Sequence, residues 1–232
     1  MNFNYQMIFS KTGRARFIAH LDTLSCLMRA IRRAGFEFAY TQGMRPKPIL
    51  SLAMPLGVGV EGESEIFDFS LQQRAPIAEL AKKLSGELPE GINLISIGPS
   101  FDRTKSASRV ESVSYRIELA EPLESYEEAA DSYNQAAVMV LTRHRPKGDK
   151  EVDIKKYVDK VGLLESGGGI FFDMKVTPEG TGRPDEIIEA LTRFAGGDLR
   201  ATRVTRTKIR LQEEEQPRPS RYRGQRPGRG RQ

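Results

Sequence analysis

The sequence predicts an α+β protein of two tandem ferredoxin-like units, each with the element order β-α-β-β-α-β, followed by a disordered tail. The first hundred residues show strand and helix periodicities in this order, and residues 110–212 repeat the order without obvious sequence identity. The last 20 residues contain one aromatic and no aliphatic side chain, which is too little apolar surface to offset chain entropy. We therefore divide the chain into units 1–99 and 110–212 and a tail at 213–232.

The first unit is read from the spacing of its apolar residues. Residues 3–9 alternate as a strand, and the following helix has an apolar stripe at Leu21, Leu24, Met28 and Ile31 and ends at Gly35. The remaining predicted elements are a short strand at 36–40, a proline-rich loop at 41–48, strands at 49–54 and 64–71, a helix at 76–88 and a strand at 92–97.

The second unit follows a polar linker at 100–109. Its predicted elements are a strand at 112–119, a helix at 126–142 whose end at 138–141 is ambiguous, strands at 152–158 and 169–176, a helix at 184–194 and a strand at 199–211. On the last strand Arg206, Lys208 and Arg210 alternate, so they form either a basic stripe or the solvent side of an edge strand.

Charge is distributed unevenly along the chain. The 36 Lys and Arg residues exceed the 31 Asp and Glu residues, for a net charge of +5. Residues 1–50, which we call the front end, carry +6, and residues 213–232 carry +3, which leaves −4 for the 162 residues between them. The sequence therefore predicts a mildly acidic body with a basic front end and a basic tail.

Several classes of protein are excluded or disfavoured by composition. The single cysteine, Cys26, rules out a disulfide within one chain, and an iron–sulfur cluster normally needs about four thiolates. Besides Cys26, the sequence contains only two histidines, His20 and His144. These three residues are too few ligands for a usual zinc site, so no metal site is expected. No apolar stretch approaches the ~18 residues of a membrane span, and the beginning of the sequence has no signal-peptide pattern, so we expect a cytoplasmic location.

The basic residues of the front end are the first candidate binding site. Arg29 and Arg33 share a helix stripe with Asp22 and Cys26, and loops of the unit can bring further cations beside them. The expected cluster is a phosphate-binding set whose affinity falls steeply with salt: Lys11, Arg14, Arg16, Arg29, Arg33, Arg45 and Lys47. A solvated helix face, a protein partner or a nucleotide-sized anion are the alternatives.

His20 and Asp22 are the candidate catalytic residues. A histidine at the start of a helix is more often a capping or packing residue, and a general base needs a positioned partner. Asp22 lies two residues away, and nothing in the spacing aims it at His20. The Arg/Gly/Pro-rich tail is typical of segments that contact RNA through charge and arginine stacking, or it is a solubilising appendage.

Motifs at the front end resemble those of the radical SAM-associated DUF2344 family. They are Phe-Ile-Ala-His-Leu-Asp at 17–22, Arg-Ala-Ile-Arg-Arg-Ala-Gly at 29–35, Tyr-Thr-Gln-Gly-Met-Arg-Pro-Lys-Pro at 40–48, Pro-Leu-Gly at 55–57 and Glu-Ser-Glu at 63–65. Family members usually have Ser where Ala19 stands and often His where Lys47 stands. These departures weaken acid–base roles for the two positions and leave His20, Asp22, Arg29, Arg33 and Gly43 unaffected.

The resemblance implies an accessory role beside a radical SAM protein, in a system that acts on RNA. A radical SAM enzyme needs three cysteines for its cluster, so the cluster and S-adenosylmethionine are expected only in the partner. In this role the basic residues would contact phosphate, Gly43 would permit close backbone approach, and His20 and Asp22 would orient a substrate group or order the loop. The alternatives are a metal-independent endoribonuclease that uses His20 as base, by analogy of fold alone, and a protein-interaction module that docks on the radical SAM partner.

Overall fold

The computed structural model describes residues 2–101, 105–146, 148–165 and 168–213, and in them it contains eleven strands and four helices. The helices are α1 (His20–Arg33), α2 (Ile77–Ser85), α3 (Glu127–Gln135) and α4 (Pro184–Thr192). The strands are β1 (Phe3–Lys11), β2 (Leu50–Leu52), β3 (Val60–Leu71), β4 (Ile92–Pro99), β5 (Val110–Leu119), β6 (Val140–Arg143), β7 (Lys150–Asp153), β8 (Gly162–Leu163), β9 (Gly169–Thr177), β10 (Gly180–Thr181) and β11 (Ala201–Leu211). The predicted α+β class is confirmed.

Strands from both halves of the chain join in one nine-stranded sheet. Its order is β10-β9-β5-β11-β3-β1-β4, with β2 paired to β3 and β8 paired to β9. The junction is a short parallel pairing of β11 with β3, from Val204 opposite Val60 to Arg206 opposite Gly62. β3 is long enough to pair with β2 through residues 67–69 and with β11 through residues 60–62. The last strand is therefore central, and it is not an edge strand.

Two apolar cores lie along this sheet. The first contains side chains of β1 and β3 packed against Leu27 and Ile31 of α1 and Leu80 of α2. The second contains side chains of β5 and β9 packed against α3 and α4, with Tyr133 and Ile187 fully buried. The second core also includes Ala53 and Ile66 of the first half, so it extends across the junction between the two halves.

The buried face of α1 differs from the predicted one. Thr23, Leu27, Ala30 and Ile31 are buried, whereas Leu21 is 71% exposed. The Thr23 hydroxyl donates to the carbonyl oxygen of Ala19 at 3.0 Å, so a polar side chain enters the core with its hydrogen bond satisfied. The predicted stripe was therefore wrong at Leu21, whereas Ile31 is buried and Leu24 and Met28 pack partly buried against the core.

Further differences in the first half concern short segments. The predicted strand at 36–40 is reduced to isolated bridges of Phe38 with Leu71 and of Tyr40 with Pro48. The polar linker at 100–109 includes a 3-10 turn, Ser106–Ser108, that packs on β3. Ser106 is buried there, and its backbone N–H donates to Asp68 Oδ2 at 2.7 Å. Part of the linker is thus anchored to the sheet.

In the second half, the predicted helix at 126–142 ends at Gln135, and the chain then enters β6, which overlaps the ambiguous end at 138–141 and pairs with β7. The predicted strand at 152–158 was wrong beyond Asp153, whose side chain accepts a hydrogen bond from the Lys155 N–H and begins a 3-10 turn. Residues 214–232, which make up all but the first residue of the predicted disordered tail, lie outside the described residues.

Candidate functional site

The basic residues of the front end occupy three places around α1. Arg14 and Arg16 lie in the 3-10 turn Gly13–Phe17 that precedes the helix. Arg29 and Arg33 lie in the second half of α1, and Arg45 and Lys47 lie in the exposed loop at 41–47. The 14 residues of α1 span ~20 Å. The cations therefore extend along the helix and do not form one compact cluster.

The end of α1 and the 41–47 loop are held near each other. Arg32 Nη2 donates to the hydroxyl of Tyr40 at 2.9 Å, and Tyr40 directly precedes the loop. The backbone N–H of Thr41 donates to the carbonyl oxygen of Lys47 at 2.9 Å, which closes the loop on itself. Arg29, Arg33, Arg45 and Lys47 thus belong to one end of α1, and Arg14 and Arg16 belong to the other.

Two of these arginines are already paired with carboxylates. Arg16 lies 3.4 Å from Glu61 Oε1, and Arg33 Nε lies 2.7 Å from Glu87 Oε2. By contrast, Arg14, Arg29, Arg45 and Lys47 are exposed and make no ion pair with any residue that the structure describes. The latter set, which we call the four open cations, keeps its full charge for a ligand.

Lys11 is placed differently from the other six cations. It is 1% exposed, and its Nζ donates to the carbonyl oxygen of Ile18 at 2.6 Å. Burial lowers the pKa of Lys11, and the charge of Arg206 lowers it further against an opposing effect of Glu65. Lys11 is therefore unavailable to a phosphate at the surface.

His20 is the first residue of α1 and adjoins the same buried region. Its Nδ1 is buried without a hydrogen-bond partner, and it lines a small cavity with Lys11, Thr23 and Glu65. Burial lowers the pKa of His20, and the charges of Arg206 and Lys11 lower it further, while Glu65 opposes them. Asp22 is exposed in the first turn and is not hydrogen-bonded to His20.

A buried ion pair lies beside His20 and Lys11. Arg206 of β11 donates through Nε to Glu65 Oε1 of β3 at 2.9 Å, and the two side chains are 0% and 4% exposed. The guanidinium also donates to the carbonyl oxygens of Met54 and Pro55, at 3.1 Å and 3.0 Å. Although burial alone lowers the pKa of Arg206, the Glu65 carboxylate reverses the effect, so the net shift is upward.

Sequence reasoning missed this pair. It assigned Arg206 either to a basic stripe or to the solvent side of an edge strand, whereas Arg206 is buried and β11 is not an edge strand. A signal was present in β3, where Glu65 continues the alternation of Phe67 and Phe69 on the buried face. A carboxylate in a core-facing position requires a charged partner. The partner comes from a strand 141 positions later, which periodicity does not identify.

Gly62 makes room for the pair. A Cβ atom at this position would lie 2.6 Å from Cγ and from Oε1 of Glu65. Glu65 therefore reaches Arg206 across the bare backbone of Gly62, which is the residue opposite Arg206 in the strand pairing. A glycine at position 62 is thus explained by close packing between the Glu65 side chain and the backbone.

Exposed aromatic rings accompany the cations of the front end. Phe17 is 59% exposed, with the Arg16 guanidinium carbon 4.8 Å from its ring centroid. Tyr40 is also exposed and bonds Arg32. Gly43 has a φ of +132° and no neighbouring atom within contact of a Cβ, so it shapes the exposed loop through its backbone.

Two further findings concern the described residues alone. They contain no group of three or more His, Cys, Asp or Glu side chains arranged to hold a metal ion. None of their helices combines the length and apolar character needed to cross a bilayer.

The comparison with protein families identifies the chain. A family model described as an uncharacterized protein conserved in bacteria, DUF2344, matches residues 4–184. This chain belongs to the DUF2344 family. The match runs from β1 to the first residue of α4 and includes the front end, Gly62 and Glu65, whereas Arg206 lies beyond it.

The DUF2344 chain matches no curated protein. Among solved structures it is similar to a crystal structure of an unknown protein from Galdieria sulphuraria, at 13% sequence identity. The match covers 87% of this chain and 99% of that one, with a TM-score of 0.29.

Proposed function

We propose that this DUF2344 chain is a cytoplasmic RNA-binding accessory protein that works with a radical SAM enzyme. The observation that carries the proposal is the set of four open cations, Arg14, Arg29, Arg45 and Lys47, which are exposed and have no acidic partner among the described residues. Exposed cations without partners bind phosphate at low desolvation cost and release counterions when they do so.

The arrangement favours an extended polyanion over a small one. The cations are distributed over ~20 Å along α1, which is too far apart for one nucleotide-sized anion to contact all of them. Phe17 under Arg16 and Tyr40 beside Arg32 add exposed rings. Aromatic rings interleaved with arginines suit the unstacked bases of single-stranded RNA.

The accessory role rests on the cysteine count and on the family. The sequence contains one cysteine, whereas a radical SAM cluster needs three. We therefore place the cluster and S-adenosylmethionine in the partner, and this chain binds and positions the RNA. The endoribonuclease alternative gains no support from the geometry, because His20 Nδ1 is buried and neither ring nitrogen bonds a carboxylate of the described chain.

We also infer that the two halves are ferredoxin-like units joined edge to edge. In the first half the strand order is β4-β1-β3-β2, and in the second it is β11-β5-β9-β8. Numbered within each half, with the β6–β7 hairpin and the two-residue strand β10 set aside as insertions, both orders read 4-1-3-2. That shared order supports a repeat of one topology.

Crosslinking in cells tests the RNA proposal. The full-length chain is crosslinked by ultraviolet light, purified under denaturing conditions and its bound RNA sequenced, beside a variant with all four open cations changed to Gln. We expect RNA with the wild type and severalfold less with the variant. Equal recovery from both, or none from the wild type, contradicts the proposal. Copurification of a three-cysteine radical SAM protein with the tagged chain tests the accessory role.

A further inference from the structure

Phe171 is an exposed aromatic ring in the middle of a strand of the second half. It lies on β9 between Ile170 and Phe172, which are buried in the second core. Because side chains alternate across a strand, Phe171 points away from this core, and it is 51% exposed. An exposed Phe is not unusual by itself, so its surroundings decide what it can do.

The ring is held in place by a glycine. Phe171 pairs with Gly162 of β8, and a Cβ atom at Gly162 would lie 2.4 Å from Phe171 Cζ. The ring therefore lies against the bare backbone of β8, which covers part of it and leaves the rest open. A ring fixed in this way loses little conformational entropy when a ligand stacks on it.

β8 is in turn fixed by α3. Asn134 Nδ2 donates to the carbonyl oxygen of Val161 at 2.9 Å, and the Val161 N–H donates to Asn134 Oδ1 at 2.8 Å. This pair of hydrogen bonds sets the position of Gly162, the next residue. The support under the ring thus extends from α3 through β8.

The ring lines an open groove of about 1040 Å³ on the second half. Ser114 also lines the groove, and its hydroxyl donates to Asp173 at 2.5 Å. Lys160 and Lys175 line it as well, and they make no ion pair with the described residues. Asp173 is also 3.6 Å from Arg210. The groove therefore offers hydrogen-bond donors, an acceptor and free positive charge around one aromatic face.

The charge of the groove favours a base over a run of phosphates. Four cationic and three acidic side chains line it, so the net charge is only +1. One cation, Arg116, is held by Glu63 of β3. Donors and acceptors of both kinds match the edge of a nucleobase, which has both, and Lys160 and Lys175 suit the single phosphate attached to it.

We propose that this groove is a second RNA contact, in which an unpaired nucleobase stacks on Phe171. The inference rests on the proposed function for the identity of the ligand, but it concerns a surface separate from the front end. Stacking of one base contributes enough that its loss weakens binding roughly 5- to 150-fold. Because stacking involves no counterion, the salt dependence of binding would stay unchanged.

The sequence provides a clean probe for this contact, because the chain contains no tryptophan. In full-length Phe171→Trp the single indole reports stacking through quenching of its emission. We expect quenching by a mixed-sequence single-stranded RNA 12-mer and, at higher concentration, by adenosine monophosphate. Phe194→Trp, at another exposed phenylalanine beyond α4, is the matched control and should not respond.

Affinity is measured in parallel with Phe171→Ala, Phe171→Leu and Phe194→Ala. Both Phe171 variants should weaken RNA binding roughly 5- to 150-fold without changing the slope of log affinity against log salt. Phe194→Ala should bind RNA as the wild type does. Gly162→Ala, which displaces the ring, should behave as Phe171→Ala does. Indole emission of Phe171→Trp that changes with neither RNA nor the mononucleotide, or wild-type affinity in Phe171→Ala, overturns the inference.

The two proposals fail separately. If the indole of Phe171→Trp is quenched while loss of the four open cations leaves RNA affinity unchanged, the front-end proposal fails and the groove stands. If loss of the four open cations weakens RNA binding while the emission of the Phe171→Trp indole does not change, the groove proposal is contradicted and the front-end proposal is supported. The mononucleotide titration tests the groove even if the 12-mer does not bind at the front end.

Discussion

Arg206 and Glu65 form a buried ion pair that joins the last strand to β3, with the side chains 0% and 4% exposed. The pair lies where the two halves share one sheet, directly across the bare backbone of Gly62. Lys11 and His20 adjoin it. The Glu-Ser-Glu motif at 63–65 also supplies Glu63, which bonds Arg116 of β5. Both acids of the motif thus connect the halves.

Breaking the Arg206–Glu65 pair should destabilise the chain strongly. Arg206→Met leaves Glu65 buried without its main partner, and we expect a loss of about 3–5 kcal/mol in the free energy of unfolding. Glu65→Met leaves both Arg206 and Lys11 without a carboxylate, so its cost should be similar. Urea unfolding of the singles and the double variant should give a coupling energy of about 2–3 kcal/mol.

The matched control is the exposed pair Arg116–Glu63, whose side chains are 37% and 41% exposed. Arg116→Met should cost no more than about 1 kcal/mol, since solvent screens the pair. Two results would show that the buried pair does not join the halves. One is that the losses of unfolding free energy in the two single variants add up in the Arg206–Glu65 double variant. The other is that Arg116→Met and Arg206→Met lose equal unfolding free energy.

Gly62→Ala should destabilise the chain through Glu65. The new Cβ would lie 2.6 Å from Glu65 Cγ, and overpacking of this kind costs about 1–3 kcal/mol. The same substitution in a Glu65→Ala background should be nearly neutral, because the side chain that it meets is gone. Equal losses in the two backgrounds, measured by urea unfolding, would contradict the packing role of Gly62.

His20 should make the stability depend on pH below about 6.5. Its pKa is lowered from 6.5 by burial and by Arg206 and Lys11, so the folded chain binds fewer protons at this residue than the unfolded chain does. The free energy of unfolding should therefore be highest above pH 6.5 and fall as the pH is lowered. Titration of carboxylates adds to this loss only at lower pH.

The variant His20→Gln should reduce the fall in unfolding free energy between pH 7 and pH 5.5. His144, which is largely exposed and bonds Asp149, is changed to Gln in both the variant and the chain it is compared with, so that His20 is the only histidine that differs between them. If the proteins with and without His20 lose stability in parallel over this range, the buried placement of His20 is not what sets the pH dependence.

Much of the fold could be predicted because its signals are local. The alternation of β1 and β9 and the apolar spacing of α4 each depend on a few neighbouring residues. On α1 the predicted stripe was wrong at Leu21, and it omitted Thr23, which is buried by means of a hydrogen bond to the carbonyl oxygen of Ala19. The β6–β7 hairpin was missed because its strands are only four residues each.

The candidate sites also differ in how far they depend on neighbouring residues of the sequence or on contacts between distant ones. The basic character of the front end is readable from sequence, because charge is a local property, but the ion pairs of Arg16 and Arg33 are not. Lys11 was assigned to the phosphate-binding set of the front end although it is buried, since its partner Ile18 and its neighbour Glu65 come from other elements. The Phe171 groove depends on Gly162 and Asn134, which only the folded chain brings to the ring. Long-range pairing therefore sets the limit of the sequence analysis.

The most direct measurement is a salt titration of RNA affinity by fluorescence anisotropy with the full-length chain. It compares the wild type with a variant that has Arg14, Arg29, Arg45 and Lys47 changed to Gln. A control of equal net charge changes four exposed cations that already have acidic partners: Lys83, Arg193, Arg200 and Arg203.

For single strands each phosphate contact contributes roughly 0.7 to the slope of log affinity against log salt. We predict that the slope of the first variant is smaller than that of the wild type by about 3, with affinity lost at low salt, and that the control keeps the wild-type slope. Equal slopes for the two variants would contradict an RNA-binding front end.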